Sequence, residues 1–226
     1  ATMIITIDGP AGSGKSTVAK ELSRSLGATF LDTGAMYRAV TLAAMEKGFE
    51  ESRKSGFANI FEECEFKFEA VDDRMRVWID DLEVTERLRS SELTGEVKTV
   101  ADCADVRCRL VEMQREFASR YEKVVSEGRD QGSVVFADAE FKFYLDASAA
   151  ERARRRFVEL EAKGEQVDLG EIESAICRRD AGDRARSVGP LIVPEDAVVV
   201  DTTDLSIEEA VQELLKYVKE DGKEKL

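Results

Sequence analysis

The sequence predicts an α/β fold: a parallel central sheet covered by helices on both faces, with a small inserted lobe of antiparallel strands. Three observations carry this. Short apolar runs alternate with helix-length amphipathic segments along most of the chain, the pattern of a parallel sheet in a three-layer sandwich. A glycine-rich loop joins the first apolar run to the first helical segment. Between residues 64 and 84 the pattern changes to strict apolar–polar alternation, which belongs to antiparallel strands with one wet face. With 226 residues the chain can bury a substantial core, and its length suits one domain carrying an insertion.

The elements follow in order. Met3-Ile4-Ile5-Thr6-Ile7 reads as a buried strand. Residues 16–26 have helical spacing (Val18, Leu22, Leu26) and stop at Gly27. A short strand is expected at 29–31 and a helix at about 33–47. Segments 65–69 and 75–79 form a hairpin around Asp72-Asp73, with a third strand near 82–84. Residues 57–105 are therefore read as an inserted lobe containing this sheet and a helix. A charged amphipathic helix at 106–121 leads to strands at 123–126 and 141–145. Helices at 148–163 and 169–186 follow, the second ending before Pro190. The last strand is 197–200, and the last helix is 206–219, opened by the capping box Ser206…Glu209. The tail at 220–226 is expected to fray.

Composition narrows the function. The net charge of −14 argues against nucleic acid, where neutralising phosphates supplies most of the affinity, and against anionic membranes. No apolar run reaches transmembrane length. The chain enters its first strand at once, so no leader is expected, and a cytoplasmic monomer is the expectation. Cys64, Cys103, Cys108 and Cys177 lack metal-ligand spacing, and there is no histidine. Any catalysis must rest on carboxylates, lysine, arginine and metal.

Gly9-Pro10-Ala11-Gly12-Ser13-Gly14-Lys15-Ser16 fits G-x-x-x-x-G-K-[ST] at every fixed position and lies between a strand and a helix, with Thr17 next in the first helical turn. Such a loop turns backbone N–H groups and a helix N-terminus towards a polyphosphate. Lys15 would reach the β- and γ-phosphates, and the Ser16 hydroxyl would hold Mg²⁺. ATP and Mg²⁺ are the expected donor and metal.

The parallel strands end at Asp8, Asp32, Glu127, Asp146 and Asp201, and ligands bind beyond such ends. Asp146 and Asp201 serve equally well as helix-approach caps. Glu127, followed by Gly128-Arg129-Asp130, can orient the metal. Asp32-Thr33-Gly34-Ala35-Met36-Tyr37-Arg38 opens a helix with a hydroxyl and a carboxylate and sets an arginine one turn on, which makes a second phosphate site. Two arginine islands stand out in an acidic chain. Arg152, Arg155 and Arg156 share a helical face, as do Arg179, Asp183 and Arg186. Either set is a solvated salt-bridged face or charge gathered for a small anionic ligand.

Together these segments resemble the bacterial-type cytidylate (CMP/dCMP) kinases of the P-loop nucleoside monophosphate kinase family. The residues in common include the phosphate loop, Asp32-Thr-Gly-Ala-Met-Tyr-Arg38, Glu127-Gly-Arg-Asp-Gln-Gly132, and Arg179-Asp180 with Asp183, Arg186 and Pro190-Leu191. The resemblance spans essentially the whole chain. It implies a P-loop fold with a monophosphate-binding lobe and a short lid at 151–166, and transfer from ATP·Mg²⁺ to CMP or dCMP. It assigns the donor phosphates and metal to Lys15 and Ser16. Thr33, Arg38 and Arg129 take the acceptor phosphate, with Asp32 beside them. Arg107 and Asp130 read the cytosine edge, Arg179, Asp183 and Arg186 lie near the ribose and phosphates, and Arg152, Arg155 and Arg156 act from the lid. Lys98 stands where the family usually has a serine that contacts the base, with Thr99 beside it.

Overall fold

The computed structural model describes residues 2–48, 50, 53, 57 and 59–224. Residue 58 of the expected lobe and residues 225–226 of the tail lie outside these. Strands β1 (Met3–Asp8), β2 (Thr29–Asp32), β6 (Lys123–Gly128), β7 (Phe141–Asp146) and β8 (Val198–Asp201) form one parallel sheet in the order β2-β6-β1-β7-β8. Strand β1 is central, and the chain reaches β2 by stepping over the place that β6 later fills. That reversal leaves a crevice at the carboxyl ends of β1 and β6, where ligands bind in such sheets.

Both faces are covered, and successive side chains show it. Val125 of β6 packs with Ile5, Ile7, Phe143 and Leu145 against Val18 and Leu22 of α1 (Lys15–Leu26) and Leu214 of α8 (Ile207–Glu224). Its neighbour Val124 points the other way, with Leu31, into a cluster containing Met36 and Val40 of α2 (Thr33–Glu46) and Leu110 and Phe117 of α5 (Ala104–Ser119). Each fully buried Leu, Ile or Phe contributes roughly 1.5–3 kcal/mol, so the two clusters hold the three layers together.

Strands β3 (Phe66–Val71), β4 (Arg74–Ile79) and β5 (Leu82–Glu83) form a separate antiparallel sheet. Asp72 takes φ 55 at the hairpin turn. Phe66, Phe68, Val77 and Ile79 bury one face, while Lys67 on the other lies 5.2 Å over the Trp78 ring. The buried face joins the α2–α5 cluster through Leu88, and through Leu93 and Val100 of α4 (Ser91–Ala101). A short α3 (Ile60–Glu63) precedes this sheet. Helices α6 (Ala149–Ala162) and α7 (Leu169–Arg184) pack against each other, capped by Ser148 and Asp168.

Several boundaries differ from expectation by one or two residues, among them those of α5 at Ala104–Ser119 and β8 at Val198–Asp201. Helix α7 ends at Arg184, not Arg186, its last turn closed by Ala185, whose N–H donates to the Ala181 carbonyl. Helix α8 runs on to Glu224, past the expected end at 219. Its stripe of Val211, Leu214, Leu215 and Val218 is anchored in the core, and each residue added to an anchored helix gains a backbone bond at little cost. The capping box forms as expected: Glu209 accepts from Ser206 N (2.8 Å), and Ser206 Oγ accepts from Glu209 N (3.2 Å). No helix among the described residues is long and apolar enough to cross a membrane.

Candidate active site

The phosphate loop leaves β1 through a position that only glycine can occupy. Gly9 has φ +154, and a Cβ there would lie 2.1 Å from the Leu145 carbonyl oxygen. Gly14, at φ 83, caps α1 and turns the chain into the helix. Ser13 Oγ and Lys15 Nζ each donate to the Pro10 carbonyl at 3.1 Å. Lys15 is only 5% exposed. Burial, with Arg129 and Arg179 nearby, brings its ammonium down from 10.5 to about 7 despite the opposing pull of Glu127. Ser16 Oγ donates to Glu127 Oε1 at 2.8 Å. Thr17 is exposed on the first turn of α1.

Beyond Lys15 and Ser16 a cavity opens. Its walls come from Thr33, Gly34, Tyr37 and Arg38 of α2, from Val97, Lys98 and Ala101 of α4, and from Arg107 of α5. Residues 127–130 close it below, and Arg179, Asp183 and Arg186 close it above. Thr33 Oγ1 donates to the Glu127 carbonyl at 2.7 Å, tying the start of α2 to the end of β6. Asp32 caps α2 by accepting from Ala35 N (2.8 Å) and pairs with Arg38 at 3.2 Å. Arg38 Nε is buried without a hydrogen-bond partner. A buried donor left unpaired is costly, and here it points to a missing acceptor.

Arg129 Nε and Arg186 Nη2 share the Asp183 carboxylate at 3.0 and 2.8 Å, and Arg186 Nε reaches Asp102 at 2.8 Å. Arg186 lies beyond the end of α7, so it joins Asp183 through the turn and not along a helical face. The Arg179 guanidinium is depressed, first by burial and next by Arg129, with Arg38 adding to the effect. Lys15, Arg38, Arg129 and Arg179 thus crowd one end of the cavity with positive charge. The other end is different. Arg107 and Asp130 form a buried ion pair, Arg107 Nη1 donates to the Ala101 carbonyl (3.2 Å), and the guanidinium lies 5.4 Å over the Tyr37 ring. Burial pushes the Tyr37 hydroxyl well above its ordinary value. With Val97 and Ala101, this end is flat, partly apolar and bears both a fixed donor and a fixed acceptor.

The lid arginines are not brought into this cavity. Arg152, 4% exposed, donates to the carbonyls of Ala147 (2.9 Å) and Ala11 (3.0 Å) and pairs with Asp180 at 2.7 Å. It braces the phosphate loop from behind. Arg155 bonds Glu151 (2.9 Å) and the Thr202 carbonyl, and Thr202 Oγ1 in turn donates to the Ser13 carbonyl at 3.2 Å. Arg156 pairs with Glu159 at 2.8 Å on the outside of α6. Asp146 and Asp201 act as local caps, accepting from Ala147 N and Thr203 N at 2.9 Å each.

Sequence reasoning left Tyr37, Asp102 and Asp180 out of the site. Tyr37 had a usable signal, since it follows Thr33 by one helical turn on the same face. Asp180 stood beside Arg179 among the residues shared with the family, but no spacing tied it to Arg152, 28 residues away, or Asp102 to Arg186, 84 residues away. Lys98 lines the cavity and pairs with Asp102, its Cε 2.7 Å from where a Cβ on Gly182 would stand; Thr99 does not reach the cavity.

Among the described residues no three His, Cys, Asp or Glu side chains gather as a metal cage. The Ser16–Glu127 oxygens nonetheless suit Mg²⁺, which takes one or two protein oxygens and completes its shell with phosphates and water.

Comparison with known proteins gives the family. A family model described as Cytidylate kinase matches residues 5–220. A cytidylate kinase of Caldanaerobacter subterraneus subsp. tengcongensis is 41% identical over 98% of this chain and 97% of its own length. One from Carboxydothermus hydrogenoformans is 43% identical over 96% of this chain and 97% of its own. Shikimate kinase from Bacteroides thetaiotaomicron shares the fold at 14% identity, with a TM-score of 0.52 over 97% of this chain and 99% of its own. A phosphate loop opening into an arginine-walled cavity, matched along nearly its whole length, places this chain in the cytidylate kinase family.

Proposed function

We propose that the two ends of the site divide the work of an ATP-dependent (d)CMP kinase. ATP lies on the loop at 9–17, its γ-phosphoryl group towards Lys15. The monophosphate enters the cavity with its phosphate among Thr33, Arg38 and Arg129 and its base against Tyr37, Arg107 and Asp130. Asp183, with Arg179 and Arg186, takes the ribose side. The crowding of Lys15, Arg38, Arg129 and Arg179 at the junction of loop and cavity is the observation that carries this reading. Positive charge gathered at that density stabilises a group passing between two phosphates.

The acceptor phosphate oxygen attacks the γ-phosphorus in line. A new O–P bond forms as the bond to the β-bridging oxygen breaks, leaving ADP and CDP. The attacking oxygen is already ionised near neutral pH, so the chain needs no histidine base. Ser16 and Glu127 would hold Mg²⁺, which screens the β- and γ-phosphate charge. The residues themselves position the phosphates and exclude water. Residues 57–105 act as the acceptor lobe and 151–166 as the lid. Arg152, directly, and Arg155, through Thr202, brace the loop around the donor, while Arg156 stays on the outer face of the lid.

An ADP-release assay across CMP, dCMP, UMP, AMP and shikimate tests this. CMP and dCMP should support the fastest turnover. Slow ATP hydrolysis indifferent to any acceptor would overturn it.

A further inference from the structure

We infer that Asp8 is a positioning residue that locks the acceptor-binding turn at 128–132 to the root of the phosphate loop, an inference that rests on the kinase reading above. Asp8 is the last residue of β1, and the loop begins at the next residue. Its side chain is 1% exposed. Oδ1 accepts from Gln131 N at 2.8 Å and Oδ2 from Gly132 N at 2.7 Å. Each carboxylate oxygen therefore holds one of two successive amides across 123 and 124 residues of sequence.

The turn it holds is unusual. Residues 131–135 form a single wide turn of the π type, with Val135 N donating to the Asp130 carbonyl (3.1 Å) and Phe136 N to that of Gln131 (2.7 Å). Such turns collect at functional sites and need outside support. Beneath it, Ser126 Oγ donates to Gln131 Oε1 (2.8 Å), and Gln131 Nε2 to Gln114 Oε1 (3.3 Å). Gly132 fits so closely that a Cβ would lie 2.8 Å from Thr6 Oγ1 and 3.3 Å from Asp8 Oδ2. Immediately before the turn stand Arg129 and Asp130, which reach Asp183 and Arg107 respectively. The clamp thus fixes where the two acceptor-binding side chains sit relative to the donor loop.

An ionised carboxylate offers both oxygens to the two amides as full acceptors; a neutral carboxyl keeps one full acceptor and a weak one on its hydroxyl, and a carboxamide turns a donor towards the second amide. Burial raises the Asp8 carboxyl to about 7, with the two amides pulling it down, Asp130 raising it and Arg129 lowering it. The clamp is complete above that pH and weakened at one oxygen below it. Stability moves the opposite way. A carboxyl raised in the fold favours the folded state at acid pH, and that contribution is lost as pH climbs from about 4 to about 7.

The test compares wild type with Asp8→Asn by kcat/KM for CMP between about pH 6 and 8.5. Loss of one charged hydrogen bond should lower it roughly 10- to 100-fold at the alkaline end. The gap should narrow towards pH 6, where protonation weakens the same acceptor in wild type. Ionisation of CMP itself affects both proteins and cancels in the ratio. A ratio constant with pH, or an Asp8→Asn enzyme equal to wild type at pH 8.5, would overturn the proposal. If the variant does not fold, the amide NMR signals of Gln131 and Gly132 in wild type serve instead. They should titrate together with a midpoint near 7, and signals that stay still would overturn it equally. Failure of wild type to phosphorylate CMP would count against the kinase reading and leave the amide result standing.

Discussion

Lys15→Met should make the protein more stable and catalytically inert. The ammonium is held at about 7 instead of 10.5 by burial beside Arg129 and Arg179. At about 1.4 kcal/mol per pH unit, keeping it charged costs about 5 kcal/mol. The bond to the Pro10 carbonyl returns only about 1 kcal/mol. A net gain near 4 kcal/mol corresponds to roughly 8–16 °C in Tm for a chain of this size. The sign follows from the depressed value. The penalty is complete below about pH 7, shrinks as pH rises, and is gone by about 10.5, so the variant's advantage should do the same. Thermal scans at about pH 6.5 and 9.5, with ATP-to-CMP transfer measured beside them, read both effects. A variant less stable than wild type at pH 6.5, or with an equal gain at both pH values, would refute the electrostatic argument. Near-normal transfer would refute the placement of Lys15 at the γ-phosphate.

Other perturbations separate the brace from the reading groups. Asp180→Ala leaves the Arg152 guanidinium buried and unpaired, which should cost about 3–5 kcal/mol and lower Tm by roughly 10 °C or more; the Asp180→Leu, Arg152→Met pair should recover most of that in the same scan. Lys98→Ser removes a donor-only head from the cavity wall. Since uracil presents a carbonyl where cytosine presents an amine, the UMP:CMP ratio of kcat/KM should fall several-fold at nearly unchanged Tm. A ratio that does not move would refute a role for Lys98 in reading the base.

Local chemistry was the legible part of this fold. The hairpin declared itself through the alternation of Phe66, Phe68, Val77 and Ile79 around Asp72-Asp73. The phosphate loop was recognisable because its glycines and Lys15 are adjacent in sequence. Helix ends were legible where a cap was local, as at Gly27 and Ser206, and misplaced where the outcome depended on packing, as at the end of α8. The candidate site divides in the same way. Thr33 and Arg38 could be paired as a helix start, whereas the commitment of Arg152 to Ala11 and Asp180 follows from how α6 and α7 pack. Nothing local to 152–156 distinguishes an arginine that braces the loop from one that faces solvent. Asp8 was visible as a strand end, but its partners are backbone amides more than 120 residues away, a relation that side-chain patterns do not encode.

The central claim is that the loop and the cavity are two halves of one transfer site, and a single ligand spanning both tests it most directly. A cytidine and an adenosine joined 5′ to 5′ through five phosphates would place an adenylate on the loop, a cytidylate in the cavity and the linking phosphates among Lys15, Arg38, Arg129 and Arg179. Calorimetry should find it bound at least about 100-fold more tightly than ATP or CMP alone, as expected when linkage makes the second contact intramolecular. Affinity no greater than that of ATP would contradict the claim, because the two halves would then not face one another.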